Sequence, residues 1–411
     1  MKIIYVTTEF VTEKRYGGLG SYLEKITDIF ASRDHQVIVT VLSKRHESFM
    51  YKKNIRVERV KLSEFVKAVL KLITFGSGVL YKYLFWKYQS YILNRRVAEI
   101  CKKDTIDIIQ YASLQGTAYY RISDIPAVVR ISSYAPLWRL AGRREFDFDK
   151  AVNDLKLMDY LELKAAEKAD LVFGPSRLLA EVFQDKIGRP VEVIESPVSP
   201  NLGEIDDSIY QSKLAGKKYL LYFGTLNALK GLLTIADSIE DVLSKYPDLY
   251  FVLIGRASRS RCTNGVNMAD YILNKAGAHA NRVIHIPFIQ KPQLFAIIRH
   301  SIACVLPSRV DNLPNTCIEA MSLGKVVIGT ERASFEQLIT DGVNGFLSVV
   351  DSPESLKSCI DKVMSMEEAE LIKMGEAARA RVEKMAPEII YQQVYELYQR
   401  TIRDFKSKLD G

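Results

Sequence analysis

The order of an apolar strand, a glycine-bearing loop and an amphipathic helix occurs twice in this chain, and it restricts the fold more than any other feature. At the first occurrence, KIIYVTTEF is typical of a buried strand, GGLGSYLEKITDIFASRD of a helix and HQVIVTVLS of the next strand. Strands this continuously apolar do not face water, so the order predicts a parallel sheet covered by helices on both sides. The apolar residues of the helix recur at helical spacing: Leu19, Tyr22, Leu23, Ile26 and Phe30.

The second occurrence begins at residues 217–239 with KKYLLYFGTLNALKGLLTIADSI, and DLYFVLIG, RVIHIPF, SIACVLPS and KVVIGT continue it as strands. Because 411 residues exceed what one hydrophobic core usually supports, two doubly wound α/β domains are expected. Prolines, glycine and acidic residues replace the apolar periodicity at 195–207, where we place the joint. The domains are therefore predicted at 1–200 and 201–385.

Composition excludes several classes of protein. Hydrophobic residues make up 48% of the chain and charged residues 26%, as in soluble globular proteins. The net charge of +8, with both signs interleaved, favours anionic ligands or a membrane surface over nucleic acid. Five widely spaced cysteines without a CxxC pair indicate a reducing cytoplasm and no structural zinc site. MKIIYVTTEF lacks the long apolar region of a signal peptide, so export is not expected.

One apolar and aromatic segment, residues 65–96 within a predicted helical insertion at about 62–100, departs from the pattern. Lys67, Lys71, Lys82 and Lys87 interrupt it and a Gly-Ser-Gly sequence splits it into two helices, so it does not span a bilayer. Two interpretations remain open. The segment is either a helical hairpin packed on the N-terminal domain or an amphipathic surface that rests on anionic lipid.

The most informative loop is SRVDNLPN at 308–315, which follows the strand ACVLPS and precedes the helix TCIEAMSLG. Ligands of open α/β sheets bind at such carboxyl ends of strands. The first backbone N–H groups of the helix, near Asn315 and Thr316, have no intrahelical partner and form a site for a phosphate. Glu319, a turn later, can accept two hydrogen bonds from a ribose diol, and Asp311 can hold the hydroxyls of another group. The spacing therefore suits a nucleotide sugar.

At these residues the sequence resembles a known family. Asp311 to Glu319, followed by AMSLGKVVIGT, is similar to the E-x7-E signature of the retaining glycosyltransferases of family 4. Matching segments in family order extend over nearly the whole chain. They are the glycine loop GGLG at 17–20, KADLVFGPS at 168–176, FGTLNALKG at 223–231, which resembles a GR-x4-KG loop, and DGVNGFL at 341–347.

The resemblance implies the GT-B architecture, in which two Rossmann-like domains face a central cleft and a C-terminal helix, here 386–411, crosses back to the N-terminal domain. It implies Asp311, Lys230 and Glu319 as the catalytic residues. Asp311 would orient the donor sugar, Lys230 would neutralise the leaving diphosphate, and Glu319 would hold the ribose. The predicted donor-binding residues are Gly17, Gly18, Arg130, Ser132, Gly224, Thr225, Lys230, Arg256, Asp311, Leu313, Pro314, Asn315, Thr316 and Glu319.

Three positions depart from the family pattern. Asp311 stands where the family usually has Glu, Thr225 where it has Arg, and Ser132 where it commonly has His. Thr225 carries no charge, which leaves Lys230 as the clear cation for the diphosphate in its loop. Arg256 or Arg130 is a candidate for the missing charge.

Retention of anomeric configuration without a protein nucleophile, a metal or another cofactor is also implied by the resemblance. The expected partners are a nucleoside-diphosphate sugar, with a UDP-sugar as the expected donor, and a glycan or lipid-linked acceptor of bacterial surface polysaccharide synthesis. The expected location is the cytoplasm, including the inner face of the plasma membrane if residues 65–96 touch lipid.

Two other classes of function compete with a transferase. A non-catalytic nucleotide-sugar or glycan-binding scaffold would explain Asp311 and Thr225. A dinucleotide-dependent oxidoreductase would use the glycines at 17–20, but their spacing departs from G-x-G-x-x-G and no acidic residue closes the strand HQVIVTVLS, which argues against it.

Overall fold

Two β-sheets organise the chain in this computed structural model, which describes residues 1–13, 17–198 and 203–410. The strands, in chain order, are β1 Lys2–Thr7, β2 Gln36–Ser43, β3 Glu47–Lys52, β4 Ile55–Lys61, β5 Ile108–Ala112, β6 Ala127–Arg130, β7 Leu171–Gly174, β8 Glu192–Val193, β9 Lys218–Phe223, β10 Leu249–Ile254, β11 Val283–Ile286, β12 Ala303–Val305, β13 Val327–Thr330 and β14 Phe346–Ser348. The first sheet has the order β3-β4-β2-β1-β5-β6-β7-β8 and the second β11-β10-β9-β12-β13-β14. Apart from the antiparallel pair β3 and β4, neighbouring strands run parallel.

Helices connect most of these strands, as the sequence predicts. They are α1 Gly18–Ala31, α2 Glu64–Ile73, α3 Gly78–Cys101, α4 Ala135–Ala141, α5 Phe148–Asn153, α6 Asp159–Glu167, α7 Arg177–Ile187, α8 Ser208–Lys213, α9 Leu232–Lys245, α10 Met268–Lys275, α11 Lys291–His300, α12 Asn315–Ser322, α13 Pro353–Ser365, α14 Glu368–Glu383 and α15 Pro387–Asp410. The two parallel-sheet α/β domains confirm the predicted fold class.

Contacts divide the chain into two units. Unit 1 contains Met1–Pro136, Val152–Pro197 and Pro387–Gly411, and unit 2 contains Leu137–Ala151 and Val198–Ala386. The chain passes from unit 1 to unit 2 within the predicted joint at 195–207, of which residues 199–202 lie outside the described residues. The sequence predicts one domain over 1–200, whereas Leu137–Ala151, the inserted segment, packs with unit 2. The side chains that hold the inserted segment, among them Arg309 and Arg332, are distant in sequence, so no local sequence pattern predicts these contacts.

The core of unit 1 includes buried residues of its central strand, β1, and of the two strands that pair with it, β2 and β5. Ile4 of β1 is opposite Ile38 of β2 and Ile109 of β5. The face of α1 that helical spacing predicts to be apolar is between 0% and 9% exposed, which confirms the prediction. Helix α15 adds buried residues to this core. They are Ile390, Val394, Leu397 and Tyr398.

Each sheet has one point at which the direction of the strand order reverses. In unit 2 the chain proceeds from β9 outward to β10 and β11 and then returns to β12 on the other side of β9. In unit 1 the same reversal lies between β1 and β5. Loops that follow two such strands diverge to opposite faces of the sheet and leave a crevice at the carboxyl ends. The loops at 224–231 and 306–314, which overlap the predicted segments 223–231 and 308–315, follow β9 and β12, so they lie at the reversal point of unit 2.

Two helices, α2 and α3, lie in the segment where the sequence predicts the helical insertion. Ser63 and Ser77 cap them by accepting hydrogen bonds from the backbone N–H groups of Val66 and Leu80 at 3.4 and 3.3 Å, which satisfies donors that a helix start leaves open. The second half of α3 is partly buried, whereas α2 has no buried residue. Within the described residues, no helix combines the length and apolar character needed to cross a membrane.

A buried histidine joins several elements of unit 1. The Nδ1 atom of His35 lies 2.9 Å from the amino terminus of Met1, and its Nε2 atom lies 2.9 Å from the Tyr391 hydroxyl of α15. Burial lowers the pKa of His35, and the charges of the amino terminus and Arg33 lower it further, against smaller opposite effects of Asp107 and Asp34. The folded state therefore prefers neutral His35.

This preference predicts a loss of stability in acid. Above the ordinary histidine pKa of 6.5, neither the folded nor the unfolded state protonates His35. As the pH falls below 6.5, the unfolded state binds a proton that the folded state resists, and the free energy of unfolding falls by at most about 1.4 kcal/mol per pH unit. Urea denaturation between pH 7.5 and 5 measures this slope. His35→Asn should flatten it, and an unchanged slope would contradict the assignment.

Candidate functional site

The two loops at the reversal point of unit 2 touch along their backbones. A Cβ atom on Gly231, which has φ +73°, would lie only 1.6 Å from the carbonyl oxygen of Pro307. The backbone N–H of Arg309 donates to the carbonyl of Leu229 at 3.0 Å. The β9–α9 loop, residues 224–231, and the β12–α12 loop, residues 306–314, therefore form one continuous backbone surface that requires glycine at 231.

A lysine and an aspartate meet across this surface. The Lys230 ammonium donates to Asp311 Oδ2, and the side chains are 29% and 16% exposed. Two further bonds fix their backbones: Asn227 Oδ1 accepts from the Lys230 N–H at 2.9 Å, and the Ser334 hydroxyl donates to the Asp311 carbonyl at 2.9 Å. The structure thus brings together two of the three predicted catalytic residues. Ser334 follows β13 and carried no sequence signal.

Helix α12 begins beside this ion pair with an open amino end. Its N-cap is Pro314, which provides no side-chain hydrogen bond, and among the described residues no protein acceptor meets the N–H groups of Asn315, Thr316 and Cys317. Leu313 and Pro314 are buried, whereas Asn315 is exposed. Open N–H groups and the helix dipole together attract an anion such as a phosphate.

Glu319 lies in the second turn of α12 and is 25% exposed. Lys291, the first residue of α11, donates to its Oε1 atom at 3.1 Å, and the Lys291 side chain is 74% exposed. The Oε2 atom has no protein partner among the described residues. The Oε2 atom of Glu319 is therefore available to a hydroxyl group. Because the Lys291 side chain is largely exposed, it can move aside and make the Oε1 atom accessible as well. No motif in the sequence points to Lys291.

The remaining predicted residues of unit 2 lie at the ends of β9 and β10. A Cβ on Gly224 would lie 3.7 Å from Thr316 Cγ2, and a Cβ on Gly255 would lie 1.9 Å from the Gly224 carbonyl oxygen. Thr225 is exposed. Arg256, which follows Gly255 in the loop after β10, is also exposed and has no ion pair among the described residues. The structure therefore leaves Arg256 available to supply the charge that Thr225 lacks.

The same loop holds a buried tyrosine. The Tyr222 hydroxyl donates to the Thr225 carbonyl at 2.9 Å, which fixes the turn after β9. Burial raises the pKa of Tyr222, and the negative charge of Asp311 raises it further. Tyr222 is therefore a neutral hydrogen-bond donor that shapes the loop.

Arg130, a predicted donor-binding residue, is buried in unit 1. The guanidinium lies 3.4 Å from the centroid of the Tyr22 ring and its Nη2 donates to the Ser196 hydroxyl at 2.8 Å. The residue is only 3% exposed, and burial lowers its pKa. In this structure the Arg130 guanidinium therefore lies in the interior of unit 1, between Tyr22 and Ser196. A charged residue at the end of a short strand gave no sign of this burial.

The other predicted residues of unit 1 surround the reversal point between β1 and β5. The backbone N–H of Ser132 donates to the Ser113 hydroxyl at 3.0 Å. Gly17 and Gly18 are exposed at the start of α1. The Glu9 carboxylate accepts from the N–H groups of Gly17 and Gly20 at 3.2 and 3.1 Å, so the chain itself supplies an acceptor for two amides of the glycine loop. The sequence did not single out Glu9.

Comparisons with known proteins show similarity to glycosyltransferases. Residues 205–381 match the family model described as "Glycosyl transferases group 1". An uncharacterized glycosyltransferase, YqgM of Bacillus subtilis, is 23% identical over 238 residues, which cover 57% of this chain and 62% of the relative. A phosphatidyl-myo-inositol mannosyltransferase of Mycobacterium tuberculosis is 20% identical over 209 residues, 49% of this chain and 53% of the relative. The chain thus spans between half and two thirds of each relative's length.

A solved structure resembles the whole chain. It is described as trehalose-6-phosphate from E. coli bound with UDP-2-fluoro glucose, and it has a TM-score of 0.74, 15% sequence identity and coverage of 97% of this chain and 99% of that chain. The likeness shows that this chain has the GT-B fold, as the sequence predicts.

Proposed function

We propose that the chain is a glycosyltransferase that takes a sugar from a nucleoside-diphosphate sugar. The observation that carries the proposal is the ion pair of Lys230 and Asp311 beside the open amino end of α12, at the point where the strand order of a GT-B domain reverses. This arrangement offers one cation and several backbone N–H groups to a diphosphate. The match of residues 205–381 to a glycosyltransferase family supports it.

Each part of the donor has a partner in this proposal. The N–H groups of Asn315 and Thr316 bind the distal phosphate, and Lys230 binds the same diphosphate from the other loop. Glu319 accepts hydrogen bonds from the ribose hydroxyls, which explains a carboxylate one turn inside the helix. Asp311 orients the hydroxyls of the transferred sugar. A carboxylate bonded to Lys230 also fixes the position of that ammonium before a donor binds.

The chemical step requires no covalent intermediate with the protein. The acceptor oxygen forms a bond to the anomeric carbon on the face from which the diphosphate leaves, the bond from that carbon to the phosphate oxygen breaks, and the acceptor proton passes to the departing phosphate. The products are the glycoside, with retained configuration, and the nucleoside diphosphate. Lys230 and the α12 amides stabilise the charge that develops on the leaving group.

Two measurements test the finer parts of this mechanism. Proton NMR of the initial product shows whether the anomeric configuration of the donor is retained, and an inverted product would reject the proposed step. Transfer in the presence of EDTA tests metal independence. We expect an unchanged rate, because Lys230 and the helix amides carry the charge stabilisation, and loss of the rate that Mg²⁺ restores would reject it.

A UDP-sugar is the proposed donor, supported by the likeness to a structure bound with UDP-2-fluoro glucose. A thermal-shift panel of UDP, GDP and ADP tests the base, because a ligand that binds only the folded state raises the melting temperature. UDP should raise it most. Release of UDP from UDP-sugars, with glycan or lipid-linked acceptors of bacterial surface polysaccharide, then separates a transferase from a non-catalytic scaffold, which would bind UDP without turnover.

The surface of α2 and the start of α3 supports a second part of the proposal, contact with an anionic membrane from the cytoplasmic side. Phe65, Leu72 and Phe75 are 77%, 75% and 95% exposed. Lys71 and Lys82 are exposed in the same segment. Exposed aromatic and aliphatic side chains among lysines match the boundary between lipid headgroups and acyl chains. Such contact would bring the chain to lipid-linked acceptors.

Vesicle flotation provides the test. The chain should float with vesicles containing phosphatidylglycerol and remain in solution with phosphatidylcholine alone or in high salt. The double variant Leu72→Ser/Phe75→Ser should bind at least about 100-fold more weakly, since each buried side chain contributes about 1.5–3 kcal/mol. Ile372→Ser, at a 55% exposed position of α14, is the control. Equal flotation of the double variant and the control would contradict the proposed surface.

A further inference from the structure

Arg309, two residues before Asp311, is a buried cation whose side chain binds three backbone carbonyls. Its exposed fraction is 3%. Nη1 donates to the carbonyls of Ala141, at 3.2 Å, and Arg143, while Nη2 donates to the carbonyl of Arg144 at 2.9 Å. Nε donates to Asp351 Oδ1 at 2.6 Å. The guanidinium therefore makes a fixed, planar set of bonds that an ammonium group cannot reproduce.

These bonds connect the inserted segment to the loop that carries Asp311. Ala141 is the last residue of α4, where a cation is favoured by the helix dipole. Other anchors hold the same segment: the Gly142 carbonyl accepts from the Cys262 thiol at 3.3 Å, and Arg332 pairs with Asp149 at 2.6 Å. Only Arg309 among these anchors lies within the β12–α12 loop.

The backbone of the same residue extends the connection to the other loop. The Arg309 N–H donates to the Leu229 carbonyl at 3.0 Å, and Leu229 precedes Lys230. One residue thus joins the β9–α9 loop through its backbone, the inserted segment through its side chain, and Asp311 through two peptide bonds. Displacement of the inserted segment would shift the residues on either side of the proposed diphosphate.

We infer that Arg309 is a positioning residue: it couples the order of the inserted segment, Leu137–Ala151, to the spacing of Lys230 and Asp311. This inference rests on the proposed function, because it assigns a role toward the diphosphate that those two residues would hold. Arg309 itself does not touch the donor. Its contribution is to keep both loops in the conformation that binds a diphosphate, so that binding and the inserted segment stabilise each other.

Hydrogen–deuterium exchange of the unaltered chain, with and without UDP, tests the coupling. UDP should slow exchange in peptides covering 224–231 and 309–319 and also in 139–145, while α13 should not change. Protection of the two loops without 139–145 would overturn the coupling and leave the proposed function intact. Protection of none of them would overturn both.

Variants provide the second test. Arg309→Lys keeps a positive charge but loses the planar set of donors, so we expect UDP affinity to fall at least about tenfold, with kcat reduced as well. Arg332→Ala is the matched control, because it removes an anchor of the same segment whose side chain is 53% exposed, and its UDP affinity should stay within about twofold. Wild-type UDP affinity in folded Arg309→Lys would overturn the inference. If that variant does not fold, the exchange experiment decides.

Discussion

Replacing Lys230 with Met is expected to lower kcat/KM for the proposed donor by about 100- to 1,000-fold, the range found when one preorganised donor to a developing anion is removed. The reason is electrostatic. Lys230 is the one lysine in the β9–α9 loop. Thr225, in the same loop, carries no charge at the position where the family that this sequence resembles has arginine. Steady-state kinetics of UDP release at several donor concentrations measure the effect. Most of the loss should appear in kcat, because charge develops on the diphosphate in the transition state.

Two controls separate this effect from indirect ones. Lys245→Met removes an exposed lysine that pairs with Asp361 at 2.8 Å in the same unit, and its kinetics should match those of the wild type. Lys230→Met also leaves Asp311 without its cation, so the double variant Lys230→Met/Asp311→Asn tests whether the remaining carboxylate causes the loss. Recovery of activity in the double variant would show that Lys230 only neutralises Asp311, contrary to the proposed role.

Gly231→Ala is expected to lower the free energy of unfolding of unit 2 by more than about 4 kcal/mol, at the upper end of single-substitution effects. The residue has φ +73°, and a Cβ there would lie 1.6 Å from the Pro307 carbonyl oxygen. The added methyl group must separate the two loops, so any protein that still folds should also lose UDP affinity. Urea denaturation followed by Trp138 fluorescence in a Trp86→Phe background reports on unit 2 alone, because the chain has two tryptophans and Trp86 lies in unit 1.

Gly216→Ala is the matched control for this experiment. Gly216 has φ +76°, but no atom lies within 4 Å of the position of an added Cβ. Its substitution should therefore cost only the backbone strain of about 1–2 kcal/mol. Equal losses for Gly216→Ala and Gly231→Ala would show that the contact between the two loops does not constrain the site.

Local patterns in the sequence predicted the fold well, because burial and helix periodicity are properties of neighbouring residues. The face of α1 from Leu19 to Phe30 is one example. The meeting of Lys230 and Asp311 could also be anticipated, since both follow strands that end at the same edge of a parallel sheet. The separation of α2 from α3 followed from the glycines at 76 and 78.

Other contacts between distant residues, which do not follow from the ends of neighbouring strands, could not be predicted in this way. The burial of Arg130 against the Tyr22 ring is one example, because a single sequence does not show which side of a short strand is buried. Arg309 was passed over because its partners are backbone carbonyls 165 to 168 residues away. The same holds for Glu9, whose contact with the glycine loop depends on the turn after β1. In each of these cases the sequence did not show a tertiary contact of a polar side chain.

A crystal structure of the chain with UDP tests the central claim most directly. The diphosphate should lie about 3 Å, hydrogen-bond distance, from Lys230 Nζ and from the N–H groups of Asn315 and Thr316, with the ribose hydroxyls at Glu319. Clear density for UDP at another place, with the Lys230–Asp311 pair and the amino end of α12 both unaltered, would contradict the account.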